Sequence, residues 1–92
     1  MLKIVFSNMI KRDYKKASKR GKDMEKLSVT LKLLANRQKL PRNYRDHQLA
    51  GNFEEYRECH VGGEGDWFLL YQVIEDKLIL FATGTGTHVD LF

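Results

Sequence analysis

The stretch that decides the fold is residues 67–83, WFLLYQVIEDKLILFAT. An apolar run from Trp67 to Ile74 leads into the charged turn Glu75-Asp76-Lys77, and a second apolar run follows from Leu78 to Thr83. Apolar runs of this length between turn residues are typical of buried strands. We therefore predict a β-hairpin here, with Tyr71 buried inside it.

The segment before the hairpin alternates as a strand does. From Phe53 to Val61, every second side chain falls on the same face. One face then carries Tyr56, Glu58 and His60, and the other carries Arg57, Cys59 and Val61. The three segments predict an antiparallel meander.

The N-terminal half predicts one strand and two helices. Leu2 to Phe6 is short and apolar, and Ser7 or Asn8 can cap the helix that follows. Gly21 supplies a left-handed stop, and Asp23 can cap the second helix. With the first strand at one edge of the sheet, we predict a single α+β domain over residues 1–92, in the order β-α-α-β-β-β, with an antiparallel twisted sheet packed on an N-terminal helical hairpin.

Charge is divided unevenly along the chain. Residues 1–45 hold fourteen Lys and Arg against three acids, whereas residues 46–92 hold two basic residues against nine acids and all three histidines. A basic surface of this kind suits a phosphate backbone, although two solvated lysine faces would read the same way. The short apolar segment at the N-terminus fits neither a signal-peptide core nor a membrane span, and the single Cys59 fits a reducing, cytoplasmic setting.

The candidate chemistry lies in the second half. Imidazole is the side chain best suited to proton transfer near neutral pH, and all three histidines follow or precede carboxylates or hydroxyls: Asp46-His47, Glu58-Cys59-His60 and Thr87-His88. Glu58 shares a strand face with His60, so we expect this carboxylate to tune that imidazole. Asp66-Trp67 opens the next strand and is expected near His60. Arg57 faces away, where we expect a structural ion pair, unless a bulge turns its side chain toward the histidines.

Two other readings stay open from the residues alone. Three imidazoles with Asp66 would make a recognised zinc ligand set, but the close histidine pairs that usually announce such a site are missing. Cys59 beside His60 looks like a thiol dyad, yet adjacent strand residues point to opposite faces. We therefore predict no metal and no cofactor, and we expect Cys59 to be a small buried residue.

Four motifs resemble a known family. They are Asp46-His47-Gln48-Leu49-Ala50-Gly51, Tyr56-Arg57-Glu58-Cys59-His60-Val61, Asp66-Trp67-Phe68-Leu69-Leu70-Tyr71, and Thr85-Gly86-Thr87-His88 with Leu91-Phe92. In this order they resemble the YafQ toxins of the RelE superfamily, and the resemblance spans nearly the whole chain. It implies a RelE-like fold and a type II toxin that cleaves messenger RNA on the ribosome. A DinJ-like antitoxin would silence it, and only that complex would bind operator DNA.

The resemblance also implies the site. The active-site positions of the family fall on His47, His60, Asp66, Trp67, His88 and Phe92, with Glu58 at a position that is acidic in relatives. This chain departs from relatives at Gly84, where they commonly carry an arginine that would stabilise charge on the scissile phosphate. The loop before Asp66 is also about two residues longer.

We accordingly expect the ribose 2′-hydroxyl to attack its own phosphodiester. His60 would be the base, tuned by Glu58 or Asp66, and His88 the acid, although the two roles are exchangeable. His47 would orient the phosphate, Trp67 and Phe92 would hold bases, and Arg57 would bind substrate. The helix lysines would dock ribosomal RNA: Lys11, Lys15, Lys16 and Lys19. A ParE-like gyrase poison, or a degenerate toxin that acts only by binding, is the alternative.

Overall fold

The computed structural model describes residues 1–63 and 65–92, which form one five-stranded sheet and three α-helices. In chain order the elements are β1 (Lys3–Phe6), α1 (Asn8–Lys19), α2 (Met24–Ala35), β2 (His47–Gln48), β3 (Arg57–His60), β4 (Phe68–Ile74), β5 (Ile79–Gly86) and α3 (His88–Leu91). The predicted α+β class is confirmed. Within the described residues, no helix is long and apolar enough to cross a membrane.

Both helices of the hairpin begin where the sequence indicated. The Ser7 side chain accepts a hydrogen bond from the Ile10 amide at 3.0 Å, and the Asp23 side chain accepts one from the Glu25 amide at 3.1 Å. Such caps satisfy amides that the first turn of a helix leaves unpaired, and each is worth about 0.5–2 kcal/mol. Gly21 has a φ of +78°, which permits the reversal between α1 and α2.

The sheet is mixed, which corrects the expectation of a wholly antiparallel one. Its strand order is β1-β5-β4-β3-β2, and β1 runs parallel to β5, with Lys3 opposite Ile79. The other three pairings are antiparallel, as the meander required. A parallel pair needs a long crossover, and here the two helices and the meander supply it.

One face of the sheet packs against the helices, and the other carries candidate site residues. Cys59, Leu69 and Tyr71 join the core that α1 and α2 cover, with Ile10 and Leu27 fully buried against them. Burying each large apolar side chain contributes about 1.5–3 kcal/mol. The opposite face of β3 carries Glu58 and His60, as the alternation predicted.

Several boundaries differ from the prediction. The second predicted strand, from Phe53 to Val61, is shorter, because Gly51–Phe53 forms a turn of 3-10 helix, and it becomes β3 because the short strand β2 was not predicted. β5 continues to Gly86. A register shift at Leu70/Tyr71 leaves Thr83 as an extra residue in β5. Glu64, within the predicted glycine-rich loop, lies outside the described residues.

Candidate active site

A buried carboxylate stands at the centre of the site. Glu58 is 2% exposed, and its Oε1 lies 2.9 Å from His88 Nε2 and 3.8 Å from His47 Nε2. The register explains the second contact, because His47 in β2 is directly opposite Glu58 in β3. The other oxygen, Oε2, has no hydrogen-bond partner within residues 1–63 and 65–92. The site therefore holds a buried acceptor under two exposed imidazoles.

His88 is delivered to this carboxylate by α3, a short helix that we did not predict. Thr87 caps it, and the Asp90 side chain accepts in return from the Thr87 amide, which is a capping box. Asp90 also pairs with Lys16 of α1 at 3.0 Å and with Arg20, the residue that caps the C-terminus of α1, at 2.8 Å. The Arg20 hydrogen bond, followed by those from Thr87 and Lys16, lowers the pKa of Asp90 well below its usual range. α3 is thus fastened to α1, which positions His88.

His60 is held by a backbone carbonyl rather than by a carboxylate. Its Nδ1 lies 2.9 Å from the Gly65 oxygen. A carbonyl oxygen only accepts, so Nδ1 carries the hydrogen, and Nε2 of the neutral ring keeps its lone pair. The expected tuning of His60 by Glu58 is therefore wrong in this structure, because Glu58 contacts His88 and His47 instead.

An aromatic ring joins the two histidines. The Phe68 ring lies 4.1 Å from the His88 ring in a stacked arrangement and 4.4 Å from the His60 ring. Both imidazoles therefore border the same patch of the sheet. Phe68 belongs to the site, although the sequence marked it only as part of an apolar run.

Two further aromatic side chains stand beside His88. Phe92 is 53% exposed, as a group that touches substrate needs to be, and its ring lies 5.8 Å from His88. Phe53 is 44% exposed and meets Phe92 edge to face at 5.2 Å. Phe53 was missed because it fell within a predicted strand, and α3 is what returns Phe92 to meet it.

Trp67 and Asp66 lie elsewhere. Trp67 is only 5% exposed and packs in the core, with the Lys22 ammonium 5.9 Å from its ring centre, so the expectation that it holds a base is wrong. Asp66 is exposed and borders two depressions beside the helical hairpin, neither of which is lined by a histidine. The depression that His60 lines is a third one, with Asn43 and Arg45.

Arg57 makes an ion pair on the core-facing side of β3. Its Nε lies 3.3 Å from Asp46 Oδ1 and 3.3 Å from the Tyr71 hydroxyl, which in turn donates to Asp46. Burial raises the pKa of the Tyr71 hydroxyl, and the hydrogen bond to Asp46 raises it further. Arg57 is therefore a structural partner of Asp46 and does not reach the face with the histidines.

Cys59 has the buried role that we expected. It is fully buried in the core, and that burial raises the pKa of its thiol far above the usual value. A thiol that stays protonated is a poor nucleophile, and the thiol dyad is wrong.

The positions of the four proposed zinc ligands contradict a shared zinc site. His60 turns to Gly65 while Asp66 borders the helical hairpin, so the four proposed ligands do not converge. Among the residues that the structure describes, no three His, Cys, Asp or Glu side chains are grouped to hold a metal ion.

The helix lysines are exposed but not equivalent. Lys11, Lys15 and Lys19 face solvent on α1, whereas Lys16 is engaged by Asp90. Lys16 therefore supports the position of α3, and its charge is partly offset within the protein.

Gly84 lies in the same row of the sheet as the central carboxylate. Glu58 is opposite Leu70, and Leu70 is opposite Gly84. A Cβ at this position would lie 3.1 Å from the tip of Leu91 and 3.3 Å from the tip of Met9. The Asp13 carboxylate is 3.4 Å from the same point, so the space above Gly84 is narrow and is bordered by side-chain ends.

Comparisons with known proteins identify the family of the chain. A family model described as a bacterial toxin of type II toxin-antitoxin system, YafQ, matches residues 2–92. The mRNA interferase toxin YafQ of Escherichia coli (strain K12) is 46% identical over 90 residues, which are 97% of this chain and 94% of that protein. In the crystal structure of the E. coli DinJ-YafQ complex, the matching chain is 42% identical with a TM-score of 0.87, covering 100% of this chain and 99% of that one. A metal-bound toxin from Helicobacter pylori is 36% identical with a TM-score of 0.91, covering 100% of both chains.

Proposed function

Because the chain belongs to the YafQ family of type II toxins, we propose that it is an endoribonuclease that cleaves messenger RNA on the ribosome by metal-independent acid–base catalysis. The observation that carries this proposal is the pair of imidazoles, His60 and His88, that both contact the ring of Phe68. One ring has a nitrogen free to accept a proton, and the other is held by the carboxylate of Glu58.

His60 acts as the base. Its Nδ1–H donates to Gly65, so Nε2 is the nitrogen that removes the proton from the ribose 2′-hydroxyl. The 2′ oxygen then attacks the adjacent phosphorus, and the bond from phosphorus to the 5′ oxygen breaks. The first product end is a 2′,3′-cyclic phosphate, which hydrolysis converts to a 3′-phosphate.

His88 acts as the acid. An ionised carboxylate only accepts, so the contact between His88 Nε2 and Glu58 Oε1 at 2.9 Å places a proton on Nε2. In the protonated ring, Nδ1 then carries the second proton and gives it to the departing 5′ oxygen. Glu58 is a positioning residue in this scheme, since it holds the acid and does not contact the reacting atoms.

The remaining side chains bind the substrate. His47 donates from Nδ1 to the Arg45 carbonyl at 2.6 Å, which fixes its ring beside Glu58, where it can contact the phosphate. Phe92 and Phe53 offer exposed faces for bases, and stacking of one base contributes about 1–3 kcal/mol. Asp66 borders the helical hairpin and takes no part in this scheme.

The family membership also suggests the partners. Lys11, Lys15 and Lys19 form a basic helix face that suits ribosomal RNA, and a DinJ-like antitoxin suits the toxin, because E. coli YafQ is found with DinJ. Operator DNA would be bound only through that complex. Reversing the charges of these three lysines is expected to weaken ribosome binding, whereas retained binding would contradict this docking face.

The test is cleavage of ribosome-bound mRNA in the presence of a chelator, followed by primer extension. We expect cuts with wild-type protein and about 10²–10⁴-fold slower cutting after His60→Ala or His88→Ala. Resistance of the new 3′ end to ligation until the phosphate is removed would support 2′-hydroxyl attack. Undiminished cutting by both variants would overturn the scheme.

The same assay separates the alternative functions. A gyrase poison would block DNA supercoiling without cutting mRNA, and a degenerate toxin would do neither. The fixed geometry of His60 and His88 favours the nuclease, because inhibition by binding alone needs no such pair.

A further inference from the structure

The structure has a second basic surface beside the candidate active site. The surface is a groove of about 610 Å³ lined by Lys39, Arg42, Arg45 and Arg57 with the carboxylate of Asp46. This volume falls within the range of about 300–1,000 Å³ that is typical of ligand pockets. We call this surface the basic groove.

Its charge is not neutralised from within. Asp46 is already bound to Arg57 and to the Tyr71 hydroxyl. Within residues 1–63 and 65–92, Lys39, Arg42 and Arg45 take part in no ion pair. Three exposed cations therefore face the groove with a positive excess. Arginine is suited to phosphate because its planar group donates two parallel hydrogen bonds.

The groove is continuous with the active site. Arg45 lines the basic groove and also the depression that contains His60. Its backbone has a left-handed φ of +49°, and its carbonyl accepts from His47. A chain of phosphates leaving the catalytic face would therefore meet Arg45 first and then Arg42 and Lys39.

We propose that the basic groove binds the phosphates of the RNA strand next to the cleaved nucleotide. This deepens the proposed function, on which it rests. Among the described residues, the groove is lined by the four cations, by Asp46 and by the aliphatic residues Leu40 and Pro41, with no aromatic side chain to stack a base. Its contribution to binding is therefore independent of sequence, since phosphate contacts position a strand without reading it.

The test measures binding without cleavage. The probe is a fluorescent single-stranded RNA of about 12 nucleotides, within the usual range of such sites. It is fully 2′-O-methylated, so that it lacks the attacking hydroxyl. Lys39→Glu/Arg42→Glu is compared with Lys3→Glu/Lys77→Glu, which changes the net charge equally on exposed residues at or near the opposite edge of the sheet.

Affinity is measured as salt is varied. For single strands the slope of log K against log salt is about −0.7 for each phosphate contact. We expect the groove pair to flatten the slope by up to about 1.4 on probes of any sequence, and the control pair to change it by less than half as much. Equal changes in both pairs, or an unchanged slope in the groove pair, would overturn the proposal. Loss of binding to polyglutamate with RNA binding retained would also overturn it, in favour of an acidic protein partner.

Cleavage is measured separately on ribosome-bound mRNA. If wild-type protein cuts mRNA and the groove pair binds RNA normally, the groove proposal is wrong and the proposed nuclease function stands. If wild-type protein does not cut mRNA but the groove pair loses affinity for the probe, the proposed nuclease fails and the groove still binds RNA.

Discussion

The role of His88 as the acid can be tested by removing the need for an acid. The perturbation is His88→Gln, because the side-chain amide of glutamine can still donate to Glu58 Oε1 but cannot protonate a leaving group. Alanine would leave the buried oxygen of Glu58 without its donor, at a cost of about 1–3 kcal/mol in stability. Glutamine therefore separates the loss of chemistry from the loss of fold.

The expected magnitude follows from how firmly the ring is held. His88 is bound to Glu58 at 2.9 Å and stacked on Phe68 at 4.1 Å, so it is a positioned group of the kind that contributes about 10²–10⁴ to a rate. At 1.36 kcal/mol for each tenfold change, the loss corresponds to about 3–5 kcal/mol of barrier. The melting temperature should stay near that of the wild type.

The assay compares two mRNAs that differ at one atom. In the second, sulfur replaces the 5′ oxygen at the scissile linkage, and a thiolate leaves without needing a proton. We expect His88→Gln to cut the sulfur substrate within about tenfold of the wild-type rate, since the lost acid contribution no longer applies. His60→Ala should slow cleavage by the same factor, relative to wild type, on both substrates. Rescue of the His60 variant instead would mean that the roles are exchanged, and equal defects of His88→Gln on both substrates would refute its role as the acid.

Four other changes have defined outcomes. Glu58→Gln removes a charge-assisted hydrogen bond worth about 1.5–3 kcal/mol, so single-turnover cleavage should fall about 10- to 150-fold, and a change of less than twofold would contradict its positioning role. Tyr71→Phe removes the buried hydroxyl that donates to Asp46, and urea unfolding should show a loss of about 1.5–3 kcal/mol. The pKa of Asp90 is lowered in the folded state, so the ionised carboxylate stabilises the fold at pH values above 3.8, its usual pKa. This stabilisation is lost as the pH falls below that value. The difference in melting temperature between wild type and Asp90→Asn should therefore shrink in acid. Gly84→Arg should raise the cleavage rate, by up to about 10²-fold, and an unchanged rate would show that no cation is needed there.

Local sequence signals predicted the elements well, because they report interactions between neighbours in the chain. Ser7, Gly21 and Asp23 each act within one helical turn, and all three have the predicted role. The parallel pairing of β1 with β5 joins segments more than seventy residues apart, and no local pattern encodes its direction. The same holds for the extra residue Thr83, whose effect depends on the partner strand.

The errors at the site have a physical explanation in the strand alternation. Trp67 shares a sheet face with Leu69 and Tyr71, and Tyr71 was predicted to be core, so the period of two already placed Trp67 in the interior. The spacing of Thr87 and Asp90 likewise contains a capping-box signal for α3. Which imidazole meets Glu58 was not predictable, because that depends on the register of β2 and on how α3 returns to the sheet.

Gly84, which carries no cation, lies in the same row of the sheet as Glu58, whose Oε2 has no partner among the described residues. Glu58 and Gly84 flank Leu70 in one row of the sheet, so an arginine at position 84 would extend from the row that contains the carboxylate. Among the described residues Oε2 has no donor, and His88 is hydrogen-bonded to Oε1. In the proposed scheme Glu58 therefore holds the acid through Oε1, while the charge that develops on the phosphate is left to His47 and to the solvent-exposed cations.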